Sequence, residues 1–380
     1  MNQAIRGKYA IVGVGNTTFG KVPGVSALDH NVDAIANAIA DAGLPKHEID
    51  AVLTKAPSSS FQMLWSARED EAIGVVPKVT ATLDQAGASN IGLVAYAIMC
   101  IELGMCSTAV ISYGDNPRTG SRAVYSRPRG EDAAYGLFGA PSAYALIARR
   151  HMEQFGTTSD QLGEVAVACR THASLNPHAQ FRDPISLEDY HASRYIAEPF
   201  HLLDCCPVSD GGAAIIVTSA DRARDLRQPP AYVLGLGQGH PAWDLANRDD
   251  WTTSGAKVSG EMAFRMAGLG PQEMQFAQLY DCFTIVPLVT FEDYGFCKKG
   301  EGGDFVSGGR IRLGGEIPLN TSGGLLGETG IPGMQLIVEG VRQIRGECGP
   351  RQVADASVGV VSGQGGIMTT HSSMVLGAHP

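Results

Sequence analysis

The sequence predicts a layered α/β protein in which two duplicated βα halves pack as five layers, α/β/α/β/α. Three observations carry this. A short apolar strand ending in glycine occurs twice, as YAIVGVG at Tyr9–Gly15 and as YVLGLG at Tyr232–Gly237. Each copy is followed in the same order by a helix, a strand, a turn rich in small residues, a buried helix and a strand. Alternation of that kind predicts parallel βαβ units with right-handed crossovers. The later helix of each half is rich in small and apolar residues, which suits a helix covered on both sides. Neither half has a G-x-G-x-x-G turn with a suitably placed acid, which argues against two dinucleotide-binding domains.

In the first half, the strand Tyr9–Gly15 leads to a helix over Asp29–Ala42, with Val32, Ile35, Ile39 and Ala40 apolar, and then to the strand Ala51–Leu53. The stretch that organises the rest is Thr80–Gly104, TATLDQAGASNIGLVAYAIMCIELG. It reads as a strand end, a tight turn at Gln85–Asn90, and a helix carrying Ile91, Val94, Ala95, Ile98, Met99 and Ile101. A helix start presents backbone N–H groups and a positive dipole end, where an enzyme places a nucleophile or binds an oxyanion. The turn has the form of such an elbow but no obvious nucleophile. Ser89 stands at the helix start, where serine more often serves as an N-cap or a turn residue.

After the strand Ala109–Tyr113 comes a long polar insertion, residues 116–208, with Arg118, Arg122, Arg127, Arg129 and Arg182 and a helix over Pro141–Phe155. Loops of that length are binding loops and lids, or solvated caps over the core. The second half runs from Tyr232–Gly237 through a helix near Ser259–Ala267 to the strand Phe276–Leu279. The turn Asn320–Gly324, the helix Met334–Ile344 and the strand Ser357–Val361 follow, the last ending in the turn Ser362–Gly366. The two halves divide the chain into 1–225 and 226–380.

Composition excludes some function classes. The 380 residues are 44% hydrophobic and 18% charged, with 47 glycines, as in a globular protein rich in tight turns. A net charge of -10 with scattered basic residues argues against a nucleic-acid or anionic-membrane surface. No apolar run reaches the roughly 18 residues that span a bilayer, and the chain enters a strand at once, with no secretory signal expected. The eight cysteines form no C-x-x-C pair and no metal-ligand spacing, so no zinc site is expected and a reducing, cytoplasmic compartment is. Cys282 and the neighbours Cys205 and Cys206 are expected to pack as small core residues. His172, His178, His191 and His371 lack companion spacing for a metal and are expected to be surface or capped residues, and Lys298–Gly303 a solvated loop.

The stretches YDCFTIVPLVTFEDYGFCKKGEGGDFV (280–306), LNTSGGLLGETGIPGMQLIVEGVRQIRGE (319–347) and VVSGQGGIMTTHSSMVL (360–376) resemble the thiolase superfamily, most closely its sterol-carrier-protein and lipid-transfer-protein branch. NPHAQFRDPISLEDY and PFHLLDCCPVSDGGAA fit the same pattern. The likeness runs from about residue 8 to the C-terminus, without the lipid-carrier domain fused to some relatives.

The resemblance implies a thiolase fold, a CoA thioester as substrate with no other cofactor, a homodimer, and a small partner with a zinc ribbon and an OB-fold. It also implies where the chemistry departs. The elbow position that holds a nucleophilic cysteine in a thiolase is Gly87 here. The histidine before Asp-x-Phe is Tyr280, the Gly-His-Pro histidine falls at Gly330, and the second cysteine falls at Ser362. A Claisen condensation through an acyl-enzyme requires a thiolate, so ordinary thiolase activity is not expected. Branch members lacking the cysteine, with tyrosine before Asp-x-Phe-Thr, are retro-aldolases that split steroid β-hydroxyacyl-CoA side chains. By that likeness Tyr280 is the candidate base or proton relay, with Gly87 and Ser362 framing an enolate site. Those aldolases use a second tyrosine from the turn around Gly330, which has none here, although Glu328 supplies a carboxylate. Two other readings stay open: a catalytically silent subunit that binds acyl-CoA or scaffolds a partner, and an acyltransferase acting through Ser89 or a displaced cysteine.

Overall fold

The computed structural model describes residues 5–60, 62–122, 134–137, 139–242 and 244–380. Arg127 and Arg129 lie outside the described residues. The first half contains β1 (Tyr9–Asn16), α1 (Ala27–Ala42), β2 (Ala51–Thr54), α2 (Trp65–Ile73), β3 (Val79–Thr82), α3 (Ser89–Glu102) and β4 (Thr108–Asp115). The insertion carries α4 (Gly139–Phe155), α5 (Ser159–Ser174), α6 (Leu187–Ala192) and the small hairpin β5 (Tyr195–Ala197) and β6 (Phe200–His201), after which β7 (Gly211–Ser219) and α7 (Ala220–Ala223) return to the first half. The second half contains β8 (Ala231–Gly239), α8 (Ala256–Ala267), β9 (Phe276–Gln278), α9 (Ile285–Tyr294), α10 (Gly302–Val306), α11 (Gly324–Gly327), α12 (Met334–Arg345), β10 (Val358–Gly365) and β11 (Thr370–Gly377).

The duplication is visible in the strand order, β3-β2-β4-β7-β1 continuing into β8-β11-β10-β9. The second half repeats the first in mirrored order about the seam, where β1 and β8 pair antiparallel through Ala10–Tyr232 and Ile11–Ala231. The short parallel strands sit at the outside of each half, and an antiparallel pair, β7 with β1 and β11 with β8, sits at the centre. Beyond β9, Ala277 also bridges Leu319 in parallel, standing where β3 stands in the first half.

Side chains alternate across each strand. On β2 and β4, Ala51, Leu53, Ala109, Ile111 and Tyr113 face a core shared with α3, whereas Val52 and Val110 face the one under α1. Both α3 and α12 touch strands of both halves, so they form the middle layer. The outer layers are α1 with α2 on one side and α8 with α9 on the other. The expected five layers are present.

The repeated strand glycines have a steric cause. A first side-chain carbon at Gly13 or Gly15 would lie 2.5 or 2.4 Å from a carbonyl oxygen of α1, and one at Gly235 or Gly237 would lie 2.1 or 1.9 Å from one of α8. Each glycine pair lets its outer helix lie directly on the strand.

Several details differ from the sequence reading. The insertion is not merely polar: Ile147, Ala148, Leu162, Val165 and Tyr190 are fully or almost fully buried and belong to the main core. Strand β10 runs on to Gly365, so Ser362 lies inside a strand rather than in a turn, because β11 pairs with it residue for residue from Val358–Gly377 to Gly365–Thr370. His172 and His371 are wholly buried, not surface residues. His172 is held between the Leu319 carbonyl and the Leu313 N–H. The Lys298–Gly303 loop is tied down, with Lys299 ion-paired to the buried Glu292 and Asp293 at 3.0 and 2.7 Å.

Candidate active site

The elbow forms where the chain leaves β3 and enters α3. Ala86 takes a left-handed backbone at φ 50°, an unusual conformation for a residue with a side chain and one that surrounding contacts must hold. Ser89 accepts the Gln85 N–H on its Oγ at 2.7 Å, and is itself fully buried. Its hydroxyl therefore closes the turn that precedes α3, while the N-cap position itself is Ala88, which makes no side-chain cap bond.

Gly87 faces Tyr280 directly. A first side-chain carbon at Gly87 would lie 2.4 Å from Cε2 of Tyr280, 2.7 Å from Cζ, and 2.3 Å from the Gln364 carbonyl oxygen. The tyrosine ring fills the place where an elbow cysteine would stand. Gly333, at φ 80°, closes on the same ring, with its would-be side-chain carbon 3.3 Å from Cδ2 and Cε2. From below, Ser362 Oγ accepts the Tyr280 backbone N–H at 2.9 Å. Ser362 is thus the support of the tyrosine's backbone, 1% exposed and facing into the protein.

Gly330 is brought to the same end of the fold but carries no chemistry of its own. Its N–H donates to Ser209 Oγ at 3.0 Å, and a side-chain carbon there would fall 1.6 Å from the Pro207 carbonyl oxygen. The segment that returns from the insertion, ahead of β7, occupies the room that a histidine or tyrosine at this position would take. Of the five residues picked from sequence, the structure gathers Gly87, Tyr280 and Ser362 tightly, places Ser89 in the wall of the elbow, and leaves Gly330 as a backbone seal.

Three groups were not singled out from sequence. Tyr144, on α4 of the insertion, donates its hydroxyl toward Gln364 Oε1 and the Gly366 carbonyl, both at 2.8 Å. Its ring stacks on Phe283 with centroids 4.6 Å apart. It thereby pins the end of β10 and the start of the β10–β11 turn, where the Gln364 carbonyl leaves no room for a side chain at Gly87. Asp281, next to the tyrosine, accepts the Leu325 and Leu326 N–H groups at the start of α11, and burial pushes its carboxyl up to about 6. Asp204 accepts Tyr190 Oη, Thr284 Oγ1 and the His201 N–H, and burial pushes it also to about 6. Asp281 and Asp204 lie within the stretches that resemble the thiolase superfamily, but the partners of all three residues come together only through the fold.

Glu328 is buried, with Ser322 Oγ at 2.7 Å and Asn176 Nδ2 at 3.1 Å on its two oxygens. Burial, with Glu339 nearby, pushes its carboxyl up to about 7, so it exchanges a proton near neutral pH. His371 lies beneath the site, bonded through Nε2 to Tyr294 Oη, and burial pushes it down to about 3, which keeps it neutral. Among the described residues no group of three or more His, Cys, Asp or Glu is arranged to hold a metal.

With this geometry in place, the comparisons bear on it. Residues 237–378 match the family described as thiolase C-terminal domain-like. The chain is 37% identical to a steroid side-chain-cleaving aldolase of Thermomonospora curvata, over 98% of both proteins. The chain belongs to the thiolase superfamily. Within it, the chain falls in the sterol-carrier-protein-like branch. It is also 38% identical to a 17-hydroxy-3-oxo-4-pregnene-20-carboxyl-CoA lyase of Mycobacterium tuberculosis, over 90% of this chain and 92% of that one. A solved structure of an Ltp2-ChsH2(DUF35) aldolase superposes with a TM-score of 0.89 at 38% identity, over 98% of each chain. In this chain of the superfamily the elbow and the two central helices are present, and the ring of Tyr280 lies against Gly87.

Proposed function

We propose that this thiolase-fold enzyme cleaves a carbon–carbon bond of a β-hydroxyacyl-CoA by a retro-aldol step, with no covalent bond to the protein. One observation carries the reading: the elbow is intact, but the ring of Tyr280 stands where a nucleophilic side chain would be. In the step, Tyr280 removes the proton of the substrate's β-hydroxyl. The Cα–Cβ bond breaks, its electron pair passing to Cα as the thioester enolate while the β-carbon leaves as a ketone or aldehyde. Backbone N–H groups of the elbow stabilise the enolate oxygen, and the proton then returns to Cα to give the shortened acyl-CoA. Relatives named for steroid side chains support a bulky, steroid-like acyl group. CoA enters as part of the substrate.

The partners follow the same likeness. The related solved aldolase contains a DUF35 protein, and we assign this chain a small zinc-ribbon/OB-fold partner of that kind. A homodimer is supported by β3, which ends the sheet with one edge unpaired among the described residues. A cytoplasmic location fits the reduced cysteines, and no helix among the described residues is long and apolar enough to cross a membrane.

The test incubates the protein, with and without the small partner, with steroid and aromatic β-hydroxyacyl-CoA esters. Release of ketone or aldehyde together with the shortened acyl-CoA, with no change in the intact mass of the protein, is expected. Tyr280→Phe should lose at least ~100-fold in turnover while still binding CoA ester, the range typical of a lost general base. An acyl adduct on the protein would overturn the reading.

A further inference from the structure

We propose that Cys206 and Cys282 form a redox-active dithiol in the wall of the candidate site, which hydrogen peroxide converts to a disulfide. The backbone sets the pair up. Thr284 N–H donates to the Asp204 carbonyl at 3.1 Å and Cys206 N–H to the Cys282 carbonyl at 3.0 Å, with Cys205 and Phe283 as an antiparallel bridge. That register places Cys206 directly opposite Cys282 with both side chains on the same side. Opposed residues of an antiparallel pair have Cα atoms about 4.5–5.5 Å apart, inside the roughly 4.4–6.8 Å window of a disulfide.

The neighbouring thiols do not compete on geometry. Cys205 alternates to the opposite side, where its Sγ donates to the His201 carbonyl at 3.5 Å. Cys282 faces the site instead, with Sγ 3.8 Å from Gln364 Oε1. Cys206, Cys282 and Cys205 are all free thiols of half-buried residues, and peroxide must enter the wall of the site to reach the sulfurs of Cys206 and Cys282. The strands they join matter to the site: Cys282 is two residues from Tyr280, and Cys206 precedes Pro207, whose carbonyl closes over Gly330. A bond between them would lock these walls together.

The chemistry balances with peroxide as the oxidant. One thiol loses its proton and its sulfur attacks an oxygen of hydrogen peroxide. The O–O bond breaks, hydroxide leaves and takes up the proton as water, and a sulfenic acid remains. The second sulfur, also deprotonated, attacks the sulfenic sulfur; the S–S bond forms, the S–O bond breaks, and a second water leaves. Burial pushes Cys206 up to about 12 and Cys282 well above its usual range, so both rest as thiols and oxidation quickens as pH rises.

The reduced, desalted protein is treated with hydrogen peroxide, its remaining thiols are alkylated, and it is digested without reduction for fragment-ion sequencing. The expected result is loss of two alkylatable thiols of the eight and a cross-linked peptide joining Cys206 to Cys282. Cys205→Ser should keep the link and Cys206→Ser should remove it. Alkylation of both Cys206 and Cys282 after peroxide, a bond within the Cys205–Cys206 pair, or separate oxidation of single cysteines would each overturn the proposal. The mapping uses the unsubstituted protein and needs no substrate, so it stands apart from the retro-aldol assay and from the folding of any variant.

Discussion

Gly87 and Tyr280 act as a matched pair, since the ring of one fills the side-chain space of the other. Placing a cysteine at the elbow as Gly87→Cys should therefore fail to make an acyl-enzyme. Its Cβ meets the tyrosine ring and the Gln364 carbonyl, and overpacking of that kind costs about 1–3 kcal/mol. Intact mass after incubation with acyl-CoA should show no adduct, and the denaturant midpoint should fall. A second residue, far from any motif, gives a pH prediction. Glu69 is fully buried between the hydroxyls of Thr54 and Ser112, at 2.9 and 2.8 Å, and burial pushes its carboxyl up to about 8. The folded protein then keeps a proton that the unfolded chain releases near its ordinary value of 4.5. The stabilisation from this group is full below that value and is lost as pH rises through about 8. Glu69→Gln, which stays neutral, should flatten this slope. Urea denaturation at pH 5 and at pH 8 should show the unsubstituted protein losing up to roughly a few kcal/mol more than the variant.

At the scale of elements, the insertion reaches the end of β10 and the turn after it through α4. Tyr144→Phe removes the hydroxyl that bonds Gln364 and Gly366. Leaving those acceptors without that donor should cost about 1–3 kcal/mol, and amide hydrogen exchange in β10 and β11 should quicken while that of β2 does not change. The elements themselves were largely legible. Apolar periodicity and the doubled strand motif placed α1, α3, α8 and α12 and the strands that lead to them. The tight turn at Gln85–Asn90 marked the elbow because small residues cluster just where a strand must turn sharply into a helix. The closing strand β11 and the extension of β10 stayed hidden, since Ser362–Gly366 reads locally as a turn and only pairing makes it a strand. Tyr144, Asp204 and Glu69 were hidden for a related reason. Each is a polar residue with a side-chain partner 14 to 220 positions away, and nothing local distinguishes it from a solvated one. Tyr280, Gly87 and Ser362 were legible through family likeness, but the ring-for-side-chain exchange was visible only in coordinates.

For the whole molecule, the middle layer decides how the halves depend on each other. Helices α3 and α12 each touch strands of both half-sheets, so neither half can cover its inner face alone. Fragments 1–225 and 226–380 should each be expanded and prone to aggregation, whereas the intact chain unfolds in one transition. Equilibrium unfolding followed by tryptophan fluorescence and by far-ultraviolet circular dichroism should give coincident curves. Two separated transitions would mean that the halves are independent domains after all.

The contact between Gly330 and the Pro207 carbonyl has a consequence for descent. A change at Gly330 alone meets backbone rather than an adjustable side chain, so the return of the insertion must shift before a larger residue there can be tolerated. At the elbow, Gly87 is likewise barred until Tyr280 gives way. A lineage leading from this chain toward a condensing enzyme would have to make paired changes whose first members are each harmful by themselves. Selection acting one substitution at a time would then find that route closed in both places, so the packing around Gly87 and Gly330 behaves as a ratchet.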